Sequence, residues 1–391
     1  MERLGAAGGR PHLFAALFAL GLALAFVLGG GSLAIHRERQ NVSAFAPDIF
    51  PLKTQGLVLQ RAAAEASDVL PLYGSSELVN PPGVRAGDFF QTAPTGFQVS
   101  PVGKAGATSL ILLQKIGALD TELRDKKVAV SLSSGWFLGT ANPYWYEGNF
   151  SRFAASQLIF DSAIDLGLKR DIAARMIQYP HTLEKAPLLD FALRRLASAS
   201  RFDQFAFYAV WPLGKLQDAI WDLQDHFAAL GVLRGRKPAP RQAQILHWPT
   251  LIAKNTESAA EERKKQNALH PPRHLTDRNR DGWFHEHMNE SAEWTDLELL
   301  LRILREIQAR PLVISMPMNG PYFDSLNVSR AAREEFYERL RRLQRRYNFE
   351  LVDFEEHDQD PDFLNPHLTA KGWILYDRVL DDFMHDRVPH T

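Results

Sequence analysis

The chain has 391 residues, of which 45% are apolar and 23% charged, and its net charge is −1. This composition excludes a disordered chain, and the charge balance gives no support to a nucleic-acid partner. The absence of cysteine excludes disulfides and thiolate metal sites, and it suits an oxidising compartment.

From Leu13 to Ile35 the run "LFAALFALGLALAFVLGGGSLAI" carries no charge, enough to cross a bilayer as a helix, which takes about 20 apolar residues. Arg3 and Arg10 before it favour a cytoplasmic N-terminus, and Arg37 and Arg39 beyond it weaken that bias. The competing reading is a cleaved signal peptide, with "SLA" at 32–34 as its processing site, but the apolar run exceeds the usual h-region of about 7–15 residues. The reading adopted is residues 1–12 cytoplasmic, 13–35 a single transmembrane anchor, and 36–391 an extracytoplasmic domain in the periplasm or outside the cell.

After a connector that leads into a helix, "VLPLYG" (69–74) reads as a buried strand ending in glycine. "FQVSPVGKAGAT" (97–108) gives a second strand and a glycine turn, and "TSLILLQKIGAL" (108–119) a helix. "KKVAVSLSSGWF" (126–137) is a third strand opening into a small-residue turn. Residues 140–305 are helical by periodicity and read as an insertion above the sheet. Strands return with "RPLVISMPMNG" (310–320) and "FELVDF" (349–354), separated by the helix 329–348, and the segment 367–386 closes the chain as a terminal helix. Strands alternating with helices predict an α/β fold, a parallel sheet covered on both faces, with any ligand site beyond the strands' carboxyl ends.

Two of those strand ends carry candidates for chemistry. In "YGSSEL", Gly74 permits a tight turn, after which Ser75, Ser76 and Glu77 open a helix. A serine attacks an acyl group when a base takes its proton and donors receive the oxyanion; taken alone, the stretch reads as a helix cap, which serine also favours. His367, in "DFLNPHLTAKGW", is the candidate base because it follows the last strand, although most of the 13 histidines are surface residues. "DRNRDG" (277–282) starts like a calcium loop, but Met288 stands where a bidentate Glu is required. The tryptophans Trp136, Trp145, Trp211 and Trp221 read as core and lid packing.

Glycine-x-serine after the first strand, a glycine turn after the second and a late acid–histidine loop resemble the arrangement of SGNH (GDSL-like) hydrolases. More closely, "YGSSEL", "RMIQYPHTLEK", "DLELLLRIL", "MPMNGPYFD" and "HLTAKGW" resemble the DltD family, membrane-anchored proteins acting in D-alanylation of teichoic acids. The resemblance spans nearly the whole chain and implies an SGNH-like fold. It makes Ser76 the nucleophile, with its own N–H and that of Gly106 as oxyanion donors, and His367 the general base. It places a third donor near Ser134-Gly135, where Gly135 has no side chain to offer, and Asn319 in the pocket lining. The family acid stands three residues before the histidine; here that position is Leu364, so Asp362 is the expected orienting acid with Asp360 behind it, and a Ser–His dyad assisted by Asn365 stays open.

The implied partners are a membrane-bound O-acyltransferase (DltB-like), indirectly an aminoacyl carrier protein, and a cell-envelope glycopolymer as acceptor. Serine chemistry needs no metal or organic cofactor. The function expected is transfer of D-alanyl groups to hydroxyls of a polymer such as teichoic acid through a Ser acyl-enzyme. Its rivals are an extracytoplasmic esterase or thioesterase, and a non-catalytic scaffold for the acyltransferase.

Overall fold

The computed structural model describes residues 11–48, 51–79, 82–139, 142–198, 200–236, 242–269 and 275–389. Arg3 and Arg10, on which the expected orientation of the N-terminus rests, lie outside them.

Among the described residues, five strands make one parallel sheet: β1 (Val69–Gly74), β2 (Gln98–Gly103), β3 (Lys127–Leu132), β4 (Arg310–Ser315) and β5 (Glu350–Val352). Their spatial order is β2-β1-β3-β4-β5. The chain steps from β1 to one side to lay down β2, then returns past β1 to lay down β3. Adjacent crossovers therefore leave β1 and β3 in opposite directions, opening a crevice at their carboxyl ends, where ligands bind in open α/β sheets.

Period-2 alternation divides the sheet between two cores. Leu70, Leu72, Ala129, Leu312 and Ile314 face a core shared with Trp373, Tyr376 and Leu380 of the terminal helix. Tyr73, Val128, Val130, Leu132 and Val313 face the other, packed against helices Ser109–Leu119 and Glu293–Glu306. This is the doubly covered parallel sheet expected from strands that are apolar along their length.

Three features differ from expectation. The first helix does not end at the membrane-length run but continues to Phe45, so "QNVSAF" is helix rather than connector. The terminal helix starts at Ala370, not at 367, and Thr369 caps it by accepting the Gly372 N–H at 3.2 Å. Upstream, Leu364–Asn365 (β6) and His367–Leu368 (β7) pair antiparallel around Pro366. Pro366 holds the residue before it, Asn365, extended, and with Thr369 as the cap the helix begins only at Ala370, so His367 stays in the hairpin.

The helical insertion also sits elsewhere than directly above the sheet. Every residue of helix Ser109–Leu119 is buried, so its outer side needs a second layer as well as its sheet side. Helix Arg152–Phe160 supplies that layer; Arg201–Leu233 packs on it, Pro187–Ala197 on Arg201–Leu233, and Leu166–Met176 on Pro187–Ala197 and Glu293–Glu306. Helix Trp248–Leu269 reaches the opposite face and lies on the terminal helix Ala370–Met384. The insertion thus flanks the sheet and approaches the strand ends at one rim.

Candidate active site

The turn after β1 is made by close approach of backbone. Gly74 pairs with Gly103 of β2, and a Cβ on Gly103 would stand 2.1 Å from the Gly74 carbonyl oxygen. Only glycine lets the two strand ends come this near. The chain then turns through Ser75 into a single 3₁₀ turn, Ser76–Leu78.

Ser75 occupies the N-cap position but its side chain caps nothing. It is buried, its Oγ accepts the Gly106 N–H at 3.0 Å, and it donates to the Lys104 carbonyl at 3.3 Å. Ser75 is therefore a staple between the β1 and β2 ends. Ser76, which follows it in the turn, is half-buried, and its neighbour Glu77 rather than Ser76 itself lines the cavity beside this turn. Gly106 has a positive φ of 82°, which aims its amide at Ser75. The amide expected to receive an oxyanion is thus engaged by the neighbouring hydroxyl. Half-exposed Trp145 lies over Gly106, within 2.9 Å of where a Cβ would be.

The β6–β7 hairpin packs against the Ser76–Leu78 turn and brings His367 to it. A cavity of about 390 Å³ lies here, lined among others by Glu77, Ser134, Gly135, Asn319, Tyr322 and His367. A second cavity of about 180 Å³ shares Asn365, His367 and Leu368 and continues toward Arg263 and Gln266 of helix Trp248–Leu269. His367 stands where the two meet.

Asn319 is held rigidly. Its Oδ1 accepts the Tyr322 N–H at 3.1 Å and so caps helix Gly320–Ser325. The Met318 N–H donates to the Tyr337 hydroxyl at 2.7 Å, and the Gly320 N–H to the Asp358 carbonyl at 2.9 Å. Gly135 presents backbone only, and the Ser134 hydroxyl beside it donates to the Pro317 carbonyl at 3.4 Å.

The acids expected behind His367 have other partners. Asp362 takes the Arg263 guanidinium at 2.6 Å. Asp360 takes Lys371 at 2.5 Å and accepts the Asp362 N–H at 2.9 Å. Asn365 donates to Gln266 at 2.6 Å. Both carboxylates hold the hairpin to its surroundings, and Asp362 ties it to helix Trp248–Leu269 in particular. Asp362→Asn is expected to slow any His367-dependent acylation by less than about tenfold, against about 10⁴ for loss of an acid bonded directly to the base. The acylation rates of the two proteins by a fluorophosphonate check this.

Sequence reasoning missed Glu77 as a site residue, because a glutamate after two serines is absorbed by the reading of a capped helix start. It is 3% exposed and lines the larger cavity, and its Oε1 accepts the Ser75 N–H at 2.7 Å. Burial pushes its pKa up to about 7, and the bond from the Ser75 amide offsets only part of this. A carboxyl whose folded pKa lies above its unfolded value stabilises the fold fully below about pH 4.5 and loses that contribution as pH rises through about 7. Between those limits the parent protein is expected to lose about 3 kcal/mol more stability than Glu77→Gln. Parallel denaturation curves from pH 4.5 to 7.5 measure the difference, and parallel slopes would show that Glu77 does not titrate there.

Comparison with known proteins places the chain in a family. A family model described as "DltD protein" matches residues 46–385. The chain is similar to Protein DltD of Bacillus subtilis (strain 168), 27% identical over 387 residues that cover 92% of this chain and 95% of that relative. It is also similar to Protein DltD of Staphylococcus aureus (strain NCTC 8325 / PS 47), 23% identical over 355 residues, 84% of each chain.

Proposed function

The chain belongs to the DltD family, and from that premise we propose that it is a membrane-anchored acyl-transfer protein that moves D-alanyl groups onto hydroxyls of a cell-envelope polymer such as teichoic acid. The observation that carries the reading is the cavity at the β1/β3 crevice, where the His367 hairpin packs on the turn bearing Ser76.

In the proposed reaction Ser76 Oγ attacks the acyl carbonyl carbon and His367 takes the hydroxyl proton. The carbonyl π electrons move to oxygen, where the Ser76 N–H and backbone donors at the β3 end receive the negative charge. Collapse breaks the bond to the leaving group, which departs with the proton from His367, and Ser76 carries the acyl ester. A polymer hydroxyl then attacks the ester as His367 takes its proton. That proton returns to Ser76 Oγ as the polymer ester is released. Two cavities meeting at His367 support this sequence, since donor and acceptor need separate approaches to one base. The acyl donor would come from a membrane-bound O-acyltransferase, supplied in turn by an aminoacyl carrier protein.

One observation favours a second reading, a scaffold that presents the acceptor without forming an ester: the pairing of Asp362 and Asp360 with Arg263 and Lys371. A fluorophosphonate separates the two, because it bonds covalently only to an activated hydroxyl. The full-length protein is expected to be labelled once, on the peptide containing Ser76, and Ser76→Ala not at all. Equal labelling of parent and Ser76→Ala would remove Ser76 as nucleophile. An unlabelled parent would favour the scaffold.

A further inference from the structure

Helix Arg201–Leu233 is built inside out for a helix in water. Phe202, Phe205, Tyr208, Leu213, Leu216 and Ile220 recur along one face, each 50–74% exposed. Every exposed position from 202 to 220 is uncharged and apolar or aromatic. Three charges of the same helix lie off that face and pair with the rest of the protein: Asp203 with Arg195 at 2.6 Å, Lys215 with Asp161 at 3.0 Å, and Asp222 with Arg61. Asp225 is buried and accepts the N–H groups of Leu57 and Val58 at 2.7 and 2.9 Å. An apolar patch this long on a water-facing helix marks a surface that is covered in use.

Its continuity with the N-terminal helix identifies the cover. Phe227 stacks on Phe26, ring centroids 5.8 Å apart and nearly parallel, and Leu223 lies 3.6 Å from where a Cβ on Gly31 would be. Gly30 has room for Phe227 only because it lacks a Cβ, which would stand 2.8 Å from the ring. These contacts fall within the uncharged run 13–35. At 1.5 Å per residue, Phe26 lies about 14 Å inward from Ile35, its outer end. The helix thus meets the anchor at a depth that belongs to the outer leaflet. Tyr208 and Trp211 suit the headgroup boundary.

We propose that helix Arg201–Leu233 lies in the outer interface of the lipid bilayer, with its Phe202–Ile220 face among the acyl chains. The inference rests on the reading of residues 13–35 as a transmembrane anchor. A second attachment would fix the tilt of the domain and hold the β1/β3 crevice at a set height above the membrane, where a tether alone leaves the domain free to swing. Such a helix has the amphipathic, aromatic-rich form of interfacial anchors.

The absence of cysteine makes site-specific labelling direct. Phe205→Cys, Leu216→Cys, Leu24→Cys in the anchor and Glu338→Cys on exposed surface are each labelled with an environment-sensitive fluorophore. Each full-length protein is then reconstituted in phosphatidylcholine/phosphatidylglycerol nanodiscs. Positions 205 and 216 are expected to be quenched about twofold by lipids spin-labelled near the headgroup and shielded from aqueous iodide. Position 24 should be quenched by lipids labelled deep in the chain, and position 338 by iodide alone. Quenching at 24 with iodide access at 205 and 216 would overturn the inference and leave the anchor standing. Shielding of 205 and 216 from both quenchers would assign the face to a second copy of the chain and equally overturn it. Loss of quenching at 24 would overturn the anchor reading and, with it, the inference.

Discussion

His367→Ala is expected to lower the rate of Ser76 acylation about a thousandfold or more while the fold is retained. A serine hydroxyl is a weak nucleophile until a base removes its proton, and no other imidazole lines the cavity among the described residues. The loss should appear in the acylation step itself, measured by single-turnover labelling, and not as weaker binding of the donor. His367 sits in a two-residue strand opposite Asn365, and the hairpin's other ties, Asp362 to Arg263 and Asn365 to Gln266, do not involve its ring. Thermal stability should therefore move little. A full labelling rate in His367→Ala would transfer the base role elsewhere, with Glu77 the first residue to test.

Arg333→Met is expected to destabilise the protein by about 3–5 kcal/mol, the range for stranding one member of a buried ion pair. Arg333 is fully buried; its Nε donates to Asp358 at 3.1 Å and its Nη1 to Asp324 at 2.7 Å and the Val328 carbonyl at 2.9 Å. Without the guanidinium, the Asp358 carboxylate stays buried with its charge uncompensated. Burial already raises the Asp358 pKa, and Arg333 opposes that rise. The variant should accordingly recover part of its deficit as pH falls and Asp358 takes up a proton. Asp358→Asn in the Arg333→Met background should also restore stability, because a neutral amide costs less to bury than an unpaired charge. The backbone of Asp358 holds Gly320, so the variant should loosen the Asn319 wall of the cavity as well. Denaturation of the single and double variants at pH 5 and 7 tests each step. Equal stability of Arg333→Met and the parent would show that the pair contributes nothing net.

Much of the fold was legible because its signals are local. "VLPLYG" became β1 at the expected residues, 69–74, since a short apolar run ended by glycine has few other readings beside an amphipathic helix. Helix 108–119 was displaced by a single residue, to 109–119. His367 was misplaced by the same kind of reasoning: "HLTAKGW" has helical composition, and the pairing of His367 with Asn365 across Pro366 is a contact that composition does not carry. The glycine of "GKAGAT" was located, but not that its amide faces Ser75. Glu77 was hidden because its importance comes from burial, which depends on the neighbours that the fold brings around it.

The sequence by itself determined the parallel α/β sheet, the apolar N-terminal helix, the family, and the strand ends after which Ser76, Gly106, Gly135 and Asn319 stand. Apolar period and turn chemistry are properties of neighbouring residues, so they can be read in one dimension. Only the tertiary structure showed how Ser75 shapes the turn, stapling β1 to β2 through the Gly106 amide and the Lys104 carbonyl. It alone showed that Asp362 and Asp360 close on Arg263 and Lys371, and that a helix far along the chain turns one aromatic-rich face out. Each of those depends on groups remote in sequence meeting within hydrogen-bond or van der Waals distance, and the folded chain alone sets such distances.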